Sequence, residues 1–194
     1  MTIEENKKTF EKALRESVKR PGIDELLNWI TTTDFYTAPA STKYHGNYPG
    51  GLTEHSLGVF RRLIGMADEI PGVNKTERMA IVALLHDLCK TNFYVQKASW
   101  EENGKKIYKY GYENQLPIGH GEKSVILIQR HMRLTNEEII AISWHMGQFD
   151  VRAKALPYEL SQAWERYPLA FLLHIADMEA TWLDERRDTD VPEK

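Results

Sequence analysis

The stretch from Met79 to Leu88, MAIVALLHDL, constrains the chain more than any other: it is apolar at every position except His86 and Asp87. Such a run belongs in an interior, and it takes a carboxylate in with it. An Asp flanked by Leu84, Leu85 and Leu88 is costly to bury alone, so a salt bridge or a cation must sit beside it. On a helix from about residue 75 to residue 90, Met79 and Val82 put His86 on the buried face. Asp87 follows about 100° round, on the face of Ala80 and Ala83. Both therefore project inward. The purely apolar part, Met79 to Leu85, is far shorter than the ~20 residues that cross a bilayer.

The 194 residues suit one domain spanning 1–194 at ~150 residues per domain, enough chain to bury about 70% of its unfolded surface. One cysteine, Cys89, excludes a disulfide scaffold. The first residues, MTIEENKK, carry acids where a signal peptide carries bases, with no apolar stretch behind them, so a cytoplasmic protein without a membrane span is expected. With 25 basic and 28 acidic residues and a net charge of −3, no global field holds a polyanion, and extended nucleic acid is not the expected partner.

Periodicity predicts an all-α body with one inserted β-hairpin at about residues 93–112. Helices are expected over 4–19 and 23–31, broken by Pro21-Gly22, followed by a long Thr/Ser/Pro/Gly/Tyr-rich loop over 32–51. Further helices are expected over 52–70, stopped by Pro71-Gly72, and 75–90, with Asn74 or Thr76 as N-cap candidates. Asn103-Gly104 signals a type I′ turn that sets Glu102 against Lys105, Glu101 against Lys106 and Trp100 against Ile107. In that register Phe93, Val95, Tyr108, Tyr110 and Tyr112 share a face that must pack on the body or over a ligand. Helices then follow over 121–133, 136–146, 158–166 and 168–184, and the tail from 185 to 194 is polar. Thr135 with Glu138 forms a capping box, Gly147 suits a C′ position and Pro168 a first helical position.

Seven histidines are the other feature of note. His55, between Leu52 and Val59, and His145, after Ala141 and Ile142, both face the core, where each suits a hydrogen-bonded core histidine as well as a metal ligand. His120 stands between two glycines at a helix start. His174 and Asp177 share a face of the last helix and could satisfy each other. His45 lies in the long loop, and His131 reads as surface. Taken together, five inward histidines and two inward aspartates over five helices are poorly explained by packing. Imidazole plus carboxylate without thiolate selects Mn, Fe, Co, Ni or Zn, one or two ions per chain, rather than a zinc finger.

The ordered segments YHGNYPGGLTEHSLGVF, LLHDLCK, GHGEKS, ISWHMG and LLHIADMEAT resemble the HD superfamily of metal-dependent phosphohydrolases over roughly residues 44–184, behind N-terminal helices at 4–31. They are similar to the HD domain of bacterial 3′–5′ exoribonucleases and to small stand-alone HD hydrolases of bacteria and phages. The resemblance implies an HD helical bundle in which His55, His86, Asp87 and Asp177 hold one metal. His120 and His145 would add a second, with Asp87 bridging. It also makes Asp87, Lys90, His120 and His145 the catalytic set, Lys90 being placed to contact phosphate. Lys90, His45, Tyr48 and His174 are the candidate substrate-contacting residues.

Two cations can share a hydroxide, lower its pKa toward neutrality and polarise the phosphoryl oxygens it attacks. The expected activity is therefore hydrolysis of a nucleotide or other small phosphate ester. The exoribonuclease relatives carry a nucleic-acid-binding module that the first ~40 residues here are too short and insufficiently basic to supply, whereas Tyr36, Tyr44, Tyr48 and the hairpin could stack a single base. Alternatives are a 3′–5′ exonuclease or cyclic-nucleotide phosphodiesterase, a di-iron oxygenase of the same fold, and a non-catalytic nucleotide-binding module. Oxygen consumption by an iron-loaded sample separates the oxygenase from the hydrolases.

Overall fold

The computed structural model describes residues 1–67, 77–100 and 106–185. The stop at Pro71-Gly72, the caps at Asn74 or Thr76, the Asn103-Gly104 turn and residues 186–194 of the tail lie outside them. Two N-terminal helices come first, α1 (Ile3–Ser17) and α2 (Ile23–Thr31). The entry to α1 is fixed by a capping box between Thr2 and Glu5, which satisfies amides that a helix start leaves free. Phe10 and Leu14 of α1 and Leu26, Leu27 and Ile30 of α2 enter the core. The expected irregular segment then runs up to α3 (Gly51–Ala67).

Helix α4 (Glu77–Leu85) is buried at every position from Met79 to Leu85; fully burying a large aliphatic side chain contributes about 1.5–3 kcal/mol. Here the structure corrects the expected helix over 75–90. α4 stops at Leu85, and after His86 and Asp87 the chain makes a 3₁₀ turn, Leu88–Lys90. Both residues stay in the interior, at 0% and 2% exposure, but in a turn rather than on adjacent faces of one helix. His86 and Asp87 are buried like their apolar neighbours, and Leu88 and Cys89 are buried beyond them, so the burial pattern gives no sign of the break.

The hairpin forms, from β1 (Tyr94–Trp100) and β2 (Lys106–Tyr112), in a register one residue away from the expected one. Trp100 pairs with Lys106 and Ser99 with Ile107, an offset that requires an odd number of connecting residues where a two-residue turn requires an even one. A slip of one moves a strand's side chains to the other face, so Tyr94, not Val95, lies on the face of Tyr108, Tyr110 and Tyr112. That face is not packed away either, since Tyr108 and Tyr112 are each 63% exposed. The root is what docks: Tyr94 Oη donates to the Ala40 carbonyl at 3.1 Å, and Phe93 stacks on Tyr112.

Among the described residues five more helices follow: α5 (His120–Gln129), α6 (Asn136–Trp144), α7 (Val151–Ala155), α8 (Pro157–Arg166) and α9 (Pro168–Glu179). The Thr135–Glu138 capping box and Pro168 at the start of α9 are as expected. Gly147 adopts the left-handed backbone, φ +53°, but opens a 3₁₀ turn; α7 is an addition. The last helix ends early, passing into a π turn, Ala180–Asp184. α9 packs against both α3 and α6, α3 against α4, and α5 against α6. One core cluster is built from α1 to α6 and α9, and a smaller one joins Trp144 of α6 to Ala153 of α7 and Leu160 and Ala163 of α8. No helix among the described residues is long and apolar enough to cross a membrane.

Candidate metal centre

Asp87 is the hub on which the elements converge. Its Oδ1 lies 2.7 Å from His120 Nε2 at the start of α5 and 3.6 Å from His145 Nε2 just after α6. Its Oδ2 lies 3.5 Å from His86 Nε2, 3.7 Å from His55 Nε2 on α3, and 2.6 Å from Lys90 Nζ. Asp177 of α9 closes the other side, with Oδ1 3.2 Å from His55 Nε2. His55, His86, Asp87 and His145 are buried, at 2% exposure or less, while the His120 side chain is 34% exposed. The centre therefore has one partly open side, at the amino end of α5.

The break after α4 explains how His86 is aimed. A helix terminus leaves carbonyls unpaired, and His86 Nδ1 donates to one of them, Ala83 O, at 2.8 Å. His145 repeats the device at the end of α6, its Nδ1 donating to Ile142 O at 2.7 Å. With the proton fixed on Nδ1, each ring turns an Nε2 lone pair toward Asp87, the arrangement by which metal-binding imidazoles are held. His145 Nε2 is buried and has no hydrogen-bond partner, a condition that normally costs about 1–3 kcal/mol and that a cation relieves. Gly121 brings the two halves together: a side chain there would run into the Ile142 carbonyl of α6, so its absence lets α5 carry His120 up against His145.

The charges suit a cation. Burial would raise the Asp87 pKa, but Lys90, His86 and the hydrogen bond from His120 hold it well below the ordinary carboxylate value. Burial would likewise lower that of His55, but Glu185 on one nitrogen and Asp177 on the other push it up to about 10. Two triads of donors, His55–His86–Asp87 and Asp87–His120–His145, each lie within 4.8 Å and share Asp87, and His86–His145–Asp177 forms a third. These residues fit a divalent metal by donor type, burial and the orphaned His145 nitrogen.

The remaining candidates are distributed unevenly. Lys90 is in the centre, brought over Asp87 because positions three apart eclipse in a 3₁₀ turn. His45 is half-buried with its ring 5.0 Å from that of His55, and burial, then the neighbouring His55, push its pKa down to about 4. Tyr48 is half-buried, and its carbonyl accepts the Gly51 amide. His174 is not brought into the cluster: its Nδ1 donates to the His145 carbonyl at 2.7 Å and its ring stacks on Trp164. It does not pair with Asp177. His131, expected at the surface, is half-buried against Trp29 at 5.2 Å. His131→Ala is expected to lower stability by about 1 kcal/mol and to leave metal content unchanged, as read by thermal melting and elemental analysis.

Two neighbours of the centre had no signal in the sequence. The Cys89 amide donates to Ser124 Oγ, and its thiol, 3.4 Å from His120 Nδ1, is pushed up to about 12 by burial and by Asp87. Glu185, read as tail, reaches His55 Nδ1 at 2.7 Å.

Residues 52–181 match the HD domain family. The chain therefore belongs to that family, the superfamily of metal-dependent phosphohydrolases that its ordered histidines and aspartates resemble. Among curated proteins it is similar to a dihydroneopterin 2′,3′-cyclic phosphate phosphodiesterase of Methanocaldococcus jannaschii, with 36% identity over 95 residues, 47% of this chain. The chain spans 36% of the length of that relative. No solved structure matches significantly.

Proposed function

We propose that the protein is a metal-dependent phosphohydrolase of small phosphate esters, with a cyclic phosphodiester or a nucleotide as substrate. The observation that carries this reading is the pair of donor triads sharing Asp87. Asp87 presents Oδ1 to His120 and His145 and Oδ2 to His55 and His86, the disposition of a carboxylate shared between two cation positions. His55, His86, Asp87 and Asp177 would hold one ion, and His120 and His145 with Asp87 a second. A bound divalent cation supplies Lewis acidity, making water nucleophilic near neutral pH and neutralising charge on the phosphoryl group.

The chain's own residues do the rest. Lys90, 12% exposed and paired with Asp87, keeps a fixed positive charge beside the phosphoryl position. His120 stands on the open side, its side chain 34% exposed, where it would hold the second ion or, with a single ion bound, hydrogen-bond a phosphoryl oxygen. The substrate class is supported by the activity for which the relative is named and by a net charge of −3, which does not hold a long polyanion.

Elemental analysis of protein loaded with Mn(II) is expected to give one to two ions per chain. A panel of 2′,3′-cyclic and 3′,5′-cyclic nucleotides, mononucleotides and cyclic dinucleotides is expected to yield turnover, with no processive loss of an RNA oligomer. Absence of bound metal sinks the reading; processive RNA degradation overturns the substrate class.

A further inference from the structure

We propose that Glu185 is a positioning residue of the metal centre: it holds the Nδ1–H of His55 so that Nε2 is the nitrogen turned to a cation. This rests on His55 being a ligand, as proposed above, but adds a residue beyond the segment that matches the family, 52–181.

His86 and His145 draw on free carbonyls at helix ends, and His55 has no such carbonyl. It sits inside α3, where main-chain carbonyls are engaged by the helix itself and Leu52 O also accepts from Ser56 Oγ. A partner for its Nδ1 must come from another element. Glu185 Oε1 supplies it at 2.7 Å, with the two side chains 1% and 9% exposed. A carboxylate cannot donate, so His55 Nδ1 donates to it. On the opposite edge of the ring, Nε2 faces His86 Nε2 and Asp177 Oδ1, each at 3.2 Å.

The delivery of Glu185 depends on the π turn. The Glu185 amide donates to the Ala180 carbonyl at 3.0 Å, a five-residue span that widens the last turn, and such turns recur at functional sites. Arg62, on the same helix as His55, grips this turn, its Nε donating to Asp184 Oδ2 at 2.9 Å. α3 thus carries both the histidine to be oriented and the arginine that fixes its partner.

His45, His55 and Glu185 also lie close enough to suggest a separate cation site. A neutral imidazole has one lone pair, however, and cannot offer Nδ1 to one cation and Nε2 to another. The hydrogen-bond length to Glu185 favours the orienting role.

The test is Mn(II) titration of the metal-free full chain by calorimetry, with Glu185→Gln and Glu185→Ala beside the wild type. Removing an outer carboxylate of this kind weakens metal binding about 10- to 100-fold, and that loss is expected, larger for Ala than for Gln. Long-range ¹H–¹⁵N spectra of the Zn(II)-loaded wild type are expected to show His55 protonated at Nδ1 and coordinated at Nε2. Wild-type affinity in both variants, or coordination through Nδ1, overturns the inference. A variant with a lower melting temperature but unchanged affinity of its folded fraction also overturns it, since that is a structural role alone. Failure of the wild type to bind Mn(II) is a different result: it removes the metal-centre reading and this inference with it.

Discussion

Asp87→Ala is expected to empty the centre: bound metal falls below detection by elemental analysis, and kcat/KM on any substrate found in the panel falls by at least about 10³-fold, with far-UV circular dichroism unchanged. The carboxylate is the sole contact shared by the two principal donor triads, so truncating it removes a ligand from both at once. The several kcal/mol that a cation supplies in the transition state then go together, and ~4 kcal/mol is ~10³-fold. Lys90 at 2.6 Å loses its counter-charge and can turn toward solvent. Helix content should hold, because Asp87 lies in a turn after α4 and not within a helix. Asp87→Asn keeps the shape and discards the charge, so equal failure of Asn and Ala assigns the effect to charge. Retention of metal with full turnover in either variant sinks the assignment.

What the sequence disclosed was set by periodicity and composition. α2 spans the expected 23–31, the α6 capping box forms, and His55, His86, Asp87, His120, His145 and Asp177 do converge. The helix and its cap follow from periodicity and cap chemistry, while the set of site residues followed from the order that resembles the HD superfamily. The centre's orientation was not legible, because it depends on where helices stop. α4 ends at Leu85, but His86 and Asp87 are as buried as the residues before them and Leu88 resumes the apolar run, so periodicity does not mark the break that frees the Ala83 carbonyl for His86. The hairpin failed on register: Asn-Gly names a two-residue turn, while the pairing of Trp100 with Lys106 obeys an odd-numbered connection. Glu185 was hidden because hydrogen bonding across a π turn has no residue signature, and a glutamate in a polar tail looks like any other.

Arg20→Ala is expected to be the most destabilising change away from the centre, by about 3 kcal/mol, which lowers the melting temperature by roughly 6–12 °C in a chain of this size. Its guanidinium forks onto Glu138, with Nη1 and Nη2 each 2.8 Å from a carboxylate oxygen. It also reaches Glu77 at 3.2 Å and the Arg133 carbonyl at 3.0 Å. The Glu138 side chain is 0% exposed, so removing the arginine leaves a buried charge whose remaining neutral partner is the Thr135 amide. Arg20→Lys cannot reproduce the fork and should recover less than half of the loss. Adding Glu138→Gln to Arg20→Ala should recover part of it, because the uncompensated charge is then gone. Glu77 opens α4 and Glu138 lies in the first turn of α6, so Arg20 ties together the amino ends of the two helices whose carboxyl ends deliver His86 and His145. Folded Arg20→Ala protein should nonetheless bind Mn(II) as the wild type does, since the centre keeps every donor. A melting temperature within about 2 °C of wild type, which is under ~1 kcal/mol, would show that Glu138 finds another partner and that the two helices are held by packing alone.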